Sequence, residues 1–331
     1  MAKEFKSIPL IDISPLLQKW DELHESQNES IAEVVKKLDE ACKNEGFFYV
    51  TGHGIPLPFM EEIRRITRKY FDQPSEDKLN FKLSASTGYR GYQAIHENIT
   101  TGVPDMQEAI DFYREIKEGM YGDLGEVLQG PNLWPSFPPD FKQLMELYIN
   151  QCTDISRNIL RGISLALAGS AKEIESKISK DPFWVLRTIG YPPSPSSDIQ
   201  DNARSTIGCG AHTDYGLLTL LNQDDNILAL EVKNKSGEWI PAAPIKGTFI
   251  CNVGDMLKIL SNGLYESTLH RVINSTGKYR VCVAYFYEPN FDAEVEPLDV
   301  CVQNMGGIKK FEGACYGKHL VNKVTNNFVM E

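Results

Sequence analysis

Residues 209–218 read CGAHTDYGLL, placing a histidine, a carboxylate and a phenol within four positions of an otherwise apolar, glycine-rich run. In a strand, residues two apart point to the same face. His212 and Asp214 therefore aim at one point, and a divalent metal is a natural occupant of it. The plain alternative is a histidine and an aspartate paired at a strand end. A third ligand elsewhere in the chain separates the two readings.

Outward from this run, the chain after about residue 183 is a series of short β-rich stretches divided by turn signals, among them FWVLRTIGY, LLTLL, LALEVKN, GTFICNVG, STLHRVIN and YRVCVAYFYEP. Such a series suggests a sandwich or barrel. Before it, apolar residues recur at helical spacing. Ile31, Val34, Val35, Leu38, Ala41 and Cys42 predict a helix over 30–46 that stops at Gly46. Residues 57–74 and 140–169 predict two more, the last ending at Gly169. SIPLIDIS (7–14) predicts a short strand, and FFYVTGHGIP (47–56) a strand and turn. The expected fold is α+β. A jelly roll (double-stranded β-helix, cupin-like) forms the core, with N-terminal and buttressing helices. Three segments organise it: a mainly helical region over 1–120 with a substrate-lining stretch, a long supporting helix over 121–182, and the catalytic core over 183–331.

The 331 residues are 42% hydrophobic and carry a formal net charge of −11. That charge disfavours nucleic acid and anionic membranes as partners, and no basic patch offsets it. No apolar run approaches the roughly 18 residues of a membrane span. Seven cysteines, an odd number without CxxC, make neither a disulfide framework nor a zinc cluster and suit a reducing compartment. The opening MAKEFKSIPLIDIS has no apolar leader, and the closing NFVME has no lipidation address. The expectation is a cytoplasmic protein, monomeric, acting on a small molecule.

The third ligand lies in SNGLYESTLHRVINSTGKYRVCVAYF (261–286), where His270 sits in a strand pattern. Two histidines and one carboxylate, leaving open coordination positions, are the facial triad of non-haem Fe(II) oxygenases. Ten residues on, Arg280 stands alone in an apolar strand. A lone arginine there needs an anion, and its planar fork suits a carboxylate.

With these residues in place, the chain resembles the plant 2-oxoglutarate- and Fe(II)-dependent dioxygenases, a group similar to isopenicillin N synthase. The likeness is carried by His212-x-Asp214, His270 and Arg280, and by GFFYVTGHGI (46–55), RTIGYPPSP (187–195) and GDMLKILSNG (254–263). It covers essentially the whole chain. It implies Fe(II) on His212, Asp214 and His270, with 2-oxoglutarate and O₂ as co-substrates and ascorbate as a stimulant. It also implies a 2-oxoglutarate site of Arg280, Cys282, Tyr191 and Arg187. The sequence departs from the family at two places. Cys282 replaces the serine of Arg-x-Ser, and Ile189 replaces an asparagine. A thiol is a weak donor, so these changes bear on co-substrate affinity.

A closer resemblance rests on GYRGYQAIHENITTGVPDMQEAIDFYREIK (88–117), GAHTDYGLLTLLNQDD (210–225) and YFYEPNFDA (285–293). These stretches are similar to the plant homoarginine 6-hydroxylase clade and, more distantly, to the bacterial ethylene-forming enzyme, which hydroxylates arginine. The implied substrate is a small cationic amino acid, homoarginine first and arginine second, with guanidine as a released product. Asn98, Thr100 and Tyr215 are the implied lining. Phe286 is expected as a cavity wall, Glu108 as an acid meeting the cation, and the second oxygen of Asp214 as an acceptor for the guanidinium. Ala94 and His96 stand where that clade carries Arg and Gly. The alternatives are an alkaloid, amine or phenolic substrate, a zinc hydrolase on the same triad, and a catalytically silent binding protein. Of the remaining polar residues, His53 is expected as a satisfied turn histidine, His24 as a surface residue and Asp255 as a backbone cap. Glu97 and Asp105 are candidates to meet a cationic substrate, with plain solvation the expected alternative, and His319 is left unassigned.

Overall fold

Alternating apolar residues build two sheets that face each other across a cavity in the computed structural model, which describes residues 5–17, 28–193 and 207–326. The large sheet runs in the order β1 (Leu10–Asp12), β2 (Phe47–Thr51), β12 (Phe249–Val253), β9 (Leu218–Gln223), β14 (Arg280–Tyr287), β7 (Trp184–Tyr191), β6 (Glu108–Tyr113) and β3 (Gly91–Gln93). The small sheet runs β11 (Trp239–Pro241), β10 (Leu230–Lys233), β13 (His270–Ile273) and β8 (Ile207–His212). Strands β7 to β14 divide four and four between the sheets, which is the jelly roll. Two ribbons pair β4 (Ile99–Thr100) with β5 (Val103–Pro104) and β15 (Glu294–Val295) with β16 (Ala314–Cys315).

The helices are α1 (Glu29–Asn44), α2 (Leu57–Phe71), α3 (Ser75–Leu79), α4 (Asp123–Glu126), α5 (Phe141–Ala168), α6 (Glu173–Ile178), α7 (Asp255–Leu260), α8 (Asp299–Asn304) and α9 (Tyr316–Asn326). Asn28 caps α1, its side chain accepting from the amides of Ser30 and Ile31. The helix buries the stripe Ile31, Val34, Leu38, Ala41 and Cys42. Helix α5 ends at Gly169, whose φ of 69° is the left-handed conformation that glycine adopts without strain. Helices α2 and α5 pack on β14, α5 also reaching β9 and α2 β7. The side chains of β14 therefore divide. Val283, Tyr285 and Tyr287 belong to the helix-side core, and the Tyr285 hydroxyl meets Thr153 Oγ1 of α5 at 2.6 Å. Arg280, Cys282, Ala284 and Phe286 line the cavity.

The first 120 residues are less helical than their amphipathic patterns suggest. They also supply β1 and β2 at one edge of the large sheet and β3 and β6 at the other. Strand β6, EAIDFY, is buried along its whole length. Its two acids hid it from a hydrophobic scan because their counter-ions come from distant residues. His53 is a satisfied turn histidine: Nε2 pairs with the Gly247 carbonyl at 3.0 Å and Nδ1 accepts from the Ile55 amide at 3.2 Å. The readings on His24, on Ser194 and Pro195, and on 327–331 fall outside the described residues. No helix among the described residues is long and apolar enough to cross a membrane.

Candidate active site

Three potential ligands meet where two strands of the small sheet pair. His212 closes β8, His270 opens β13, and the two are directly opposite in the antiparallel register. Asp214 follows His212 by two residues. Asp214 Oδ1 lies 3.7 Å from His212 Nε2 and 3.6 Å from His270 Nε2, and the three donor atoms fall within 4.8 Å of one another. The atoms behind them set their chemistry. His212 Nδ1 pairs with the Gly210 carbonyl at 2.8 Å and His270 Nδ1 with the Thr268 carbonyl at 3.2 Å. Each Nδ1 donates to a backbone carbonyl, which turns each Nε2 towards the common point. Asp214 Oδ2 accepts from Thr219 Oγ1 and from Asn252 Nδ2 at 2.7 Å, leaving Oδ1 towards the histidines. Burial opposes ionisation of Asp214, but His270, His212 and these two donors hold its carboxyl below the usual range. Burial, together with the neighbouring His212, pushes His270 down to about 4 and keeps it a neutral donor. Two nitrogens and one oxygen on one side of a point suit Fe(II) with positions left for other ligands.

The triad opens into a cavity of about 420 Å³. Arg280 lies in its wall, fully buried. Its Nη2 donates to Gln223 Oε1 at 2.9 Å, its Nη1 meets Cys282 Sγ at 3.7 Å, and its guanidinium stacks over Tyr191 at 5.0 Å. Nε has no partner, and no carboxylate pairs with the group among the described residues. A buried guanidinium with an idle donor and no anion fits one carboxylate of 2-oxoglutarate. Tyr191 thus contributes a ring face, and Ile189 lies opposite Cys282 in the β7–β14 register. Arg187 lines the cavity but is already neutralised: Nη1 holds Asp111 Oδ2 at 2.7 Å, and Nη2 reaches Asn98 Oδ1 at 3.3 Å.

Asn98, Thr100, Tyr215 and Phe286 all line the cavity. Five expectations need correction. Glu108 does not line it; its carboxylate is held by Lys78 Nζ at 2.6 Å, the Tyr92 hydroxyl at 2.7 Å and the Tyr279 hydroxyl at 2.6 Å. The second oxygen of Asp214 is taken by Thr219 and Asn252, so it has no room for a guanidinium. Asp105 is not solvated. Fully buried, it accepts from Asn98, from Thr100 Oγ1 at 2.7 Å and from the Gly210 amide at 2.9 Å, and so ties the lining segment to β8. Glu97 likewise braces a turn, accepting from the Ala94 amide at 2.8 Å and pairing with Lys82 at 3.1 Å. Asp255 does not cap α7 with its side chain. It accepts from Ser267 Oγ at 2.7 Å and Thr213 Oγ1 at 3.3 Å, bracing both ligand-bearing segments. Ala94 and His96 lie off the cavity wall, and His96 is exposed.

Residues the sequence reading missed are Thr219, Gln223 and Asn252, which hold the ligating groups, and Glu288 and Lys323, which line the cavity. A polar residue at an inward position of an apolar strand was the available signal for the first three. Helix α9 adds Leu320, Lys323 and Val324 to the wall, and Lys323 lies 5.1 Å over the ring of Tyr215.

Comparison with known proteins agrees with this architecture. Residues 8–137 match the family model described as non-haem dioxygenase in morphine synthesis N-terminal, and residues 180–289 match the 2OG-Fe(II) oxygenase superfamily. A homoarginine-6-hydroxylase of Arabidopsis thaliana is 60% identical over 334 residues, covering 100% of both chains. A homoarginine-6-hydroxylase of Glycine max is 58% identical over 329 residues, covering 99% of each. Among solved structures, a full-length Neurospora crassa protein crystallised in complex with alpha-KG (2-oxoglutarate) and thymine superposes with a TM-score of 0.81. It is 29% identical, and the match covers 96% of each chain.

Proposed function

The chain belongs to the 2OG-Fe(II) oxygenase superfamily, and on that premise we propose that it hydroxylates homoarginine at C6. It is a 2-oxoglutarate-dependent dioxygenase that acts on a small molecule, with Fe(II) as its metal. The observation that carries the substrate reading is the 60% identity to a homoarginine-6-hydroxylase over the whole chain. The departures at Ala94 and His96 do not weaken it, because neither side chain lines the cavity.

Fe(II), 2-oxoglutarate and O₂ together replace one substrate C–H bond by C–OH and release succinate and CO₂. In this reading His212, Asp214 and His270 would hold the metal. Thr219 and Asn252 fix the Asp214 carboxylate so that a single oxygen points inward. Arg280, steadied by Gln223 and stacked on Tyr191, grips the far carboxylate of 2-oxoglutarate. Leu221, Leu230, Ile250 and Val272 keep water from that end of the cavity. Asn98, Thr100 and Tyr215 orient the substrate so that one carbon faces the metal. A hydroxyl on the carbon bearing the guanidino nitrogen makes a hemiaminal. Its C–N bond breaks as the hydroxyl proton passes to the departing nitrogen, giving an aldehyde and guanidine.

The test is a titration of anaerobic protein, loaded with Fe(II) and 2-oxoglutarate, with homoarginine, arginine and lysine, followed by O₂. Succinate and guanidine formed in equal amounts from homoarginine support the reading. Succinate coupled to some other compound, with no product from homoarginine or arginine, overturns the substrate and leaves the reaction class.

A further inference from the structure

The inward row of β14 begins with a cation, Arg280, and continues through Cys282, Ala284 and Phe286. The next inward residue, just past the strand, is Glu288. It lines the cavity and is 3% exposed, its Oε2 has no hydrogen-bond partner, and no cation pairs with it among the described residues. The other buried acid of the wall, Asp111, already has Arg187 at 2.7 Å. Arg280 and Glu288 stand eight positions apart, so at about 3.4 Å each roughly 27 Å of extended chain separates their backbones.

Glu288 sits against the segment that carries the metal ligand. Gly216 follows Asp214 by two residues, and a Cβ at that glycine would overlap the Glu288 carboxylate. The absence of a side chain at 216 is what lets the acid lie there. A carboxylate in this setting gains from any cation that enters the cavity.

We propose that Glu288 is the counter-ion of the substrate's guanidinium and sets the preference of the cavity for a cationic side chain. The inference rests on the homoarginine reading above. If the oxidised carbon is the one bonded to the guanidino nitrogen, the cation must lie beside the metal centre. Glu288 is packed beside that centre and has no counter-ion of its own. A guanidinium is planar and donates in several directions, so it can satisfy the carboxylate while its alkyl chain runs along Phe286. Glu288 also lies near Tyr316 at the start of α9. A purely structural anchor for that helix is the competing role.

The experiment measures binding to the full chain, anaerobic and loaded with Fe(II) and 2-oxoglutarate, by calorimetry. The probes are homoarginine and homocitrulline, in which a neutral urea replaces the guanidinium. The wild type is expected to prefer homoarginine by roughly 10- to 100-fold, the range of one charge-assisted hydrogen-bonded contact. Glu288→Gln keeps the shape, and should lose that preference while homocitrulline binds as before. Glu288→Asp should keep the preference with weaker binding, and it carries the test should the Gln variant not fold. Tyr316→Phe should leave the preference intact. An unchanged preference in Glu288→Gln overturns the proposal, as does an equal loss in Tyr316→Phe, which would make the residue an anchor. If such variants still bind homoarginine selectively and the wild type releases guanidine from it, only the role of Glu288 falls. A wild type that binds neither probe, or both equally, overturns the substrate reading along with it.

Discussion

Strands β6 and β14 flank β7 in the large sheet, and both carry buried charge, but they carry it differently. On β6, Glu108 has Lys78 and two tyrosine hydroxyls, and Asp111 has Arg187 from β7. Along β14 and just past it, Arg280 and Glu288 have no opposite charge within the described chain. Holding such a group ionised and unpaired in a buried site costs several kcal/mol, which is why the Glu288 carboxyl is raised to about 8. A chain keeps such a group where a ligand offsets that cost. On the proposed reading, the β6 charges hold the protein together and the β14 charges are kept for ligands.

The contrast predicts opposite outcomes for removing one charge from each strand. Glu108→Ala strips Lys78 of its partner in a buried site and should cost about 3–5 kcal/mol of stability, read as a fall in Tm and in the denaturant midpoint. The KM for homoarginine of the folded fraction should stay where it was. A raised KM with an unchanged Tm would move Glu108 back into the substrate site and erase the distinction.

Arg280→Ala tests the other strand. Loss of a buried charge-assisted pair costs about 2–5 kcal/mol, so the 2-oxoglutarate requirement should rise roughly 30- to several-thousand-fold. Metal affinity without 2-oxoglutarate should stay nearly unchanged. The unliganded variant should lose less stability than Glu108→Ala, since the lost charge had no counter-ion. Arg280→Lys should also be impaired, because an ammonium cannot reproduce the planar fork. Equal 2-oxoglutarate dependence in all three proteins breaks the assignment.

This division explains what was legible in the sequence. His212 and Asp214 could be read because strand alternation is local, and His270 because it repeats the pattern in a second strand. Arg280 stood out as a lone charge in an apolar run. Glu108 was misread for the same reason: its partner Lys78 is 30 residues away, and only the folded chain brings them to 2.6 Å. Glu288 was passed over because it follows an aromatic run and precedes a proline, where a strand ends. Its inward direction follows only once the register of β14 against β7 is known. The helices over 29–44, 57–71 and 141–168 were visible from their apolar stripes. Strands β3 and β6 were not, since a strand whose acids are neutralised from elsewhere has no distinguishing alternation.

Cys282 sharpens the picture of the β14 wall by a smaller amount. Its thiol meets Arg280 Nη1 at 3.7 Å and is buried. Restoring the serine common in the family would place a stronger donor beside the co-substrate. Cys282→Ser should tighten 2-oxoglutarate by about 0.5–1.5 kcal/mol, the net worth of one hydrogen bond, or roughly two- to tenfold in its KM. No change would mean that the co-substrate carboxylate does not reach this residue.

The smallest effect separates cavity wall from scaffold at His96. Its φ of 73° is the left-handed conformation, and its amide donates to the Asp105 carbonyl at 3.0 Å, so the turn holds the residue there. An L side chain in that region costs about 1–2 kcal/mol. The clade's glycine carries no such cost, though it gives up about 0.5–1 kcal/mol through the greater freedom of its unfolded chain. His96→Gly should therefore raise stability by at most about 1.5 kcal/mol, seen as a slight rise in Tm. Because the imidazole is exposed and off the cavity wall, homoarginine turnover should be unaltered. A changed KM with no gain in Tm would mean that this turn shapes the cavity through Asp105 and its grip on Asn98 and Thr100, and the boundary between wall and scaffold would have to be drawn one layer further out.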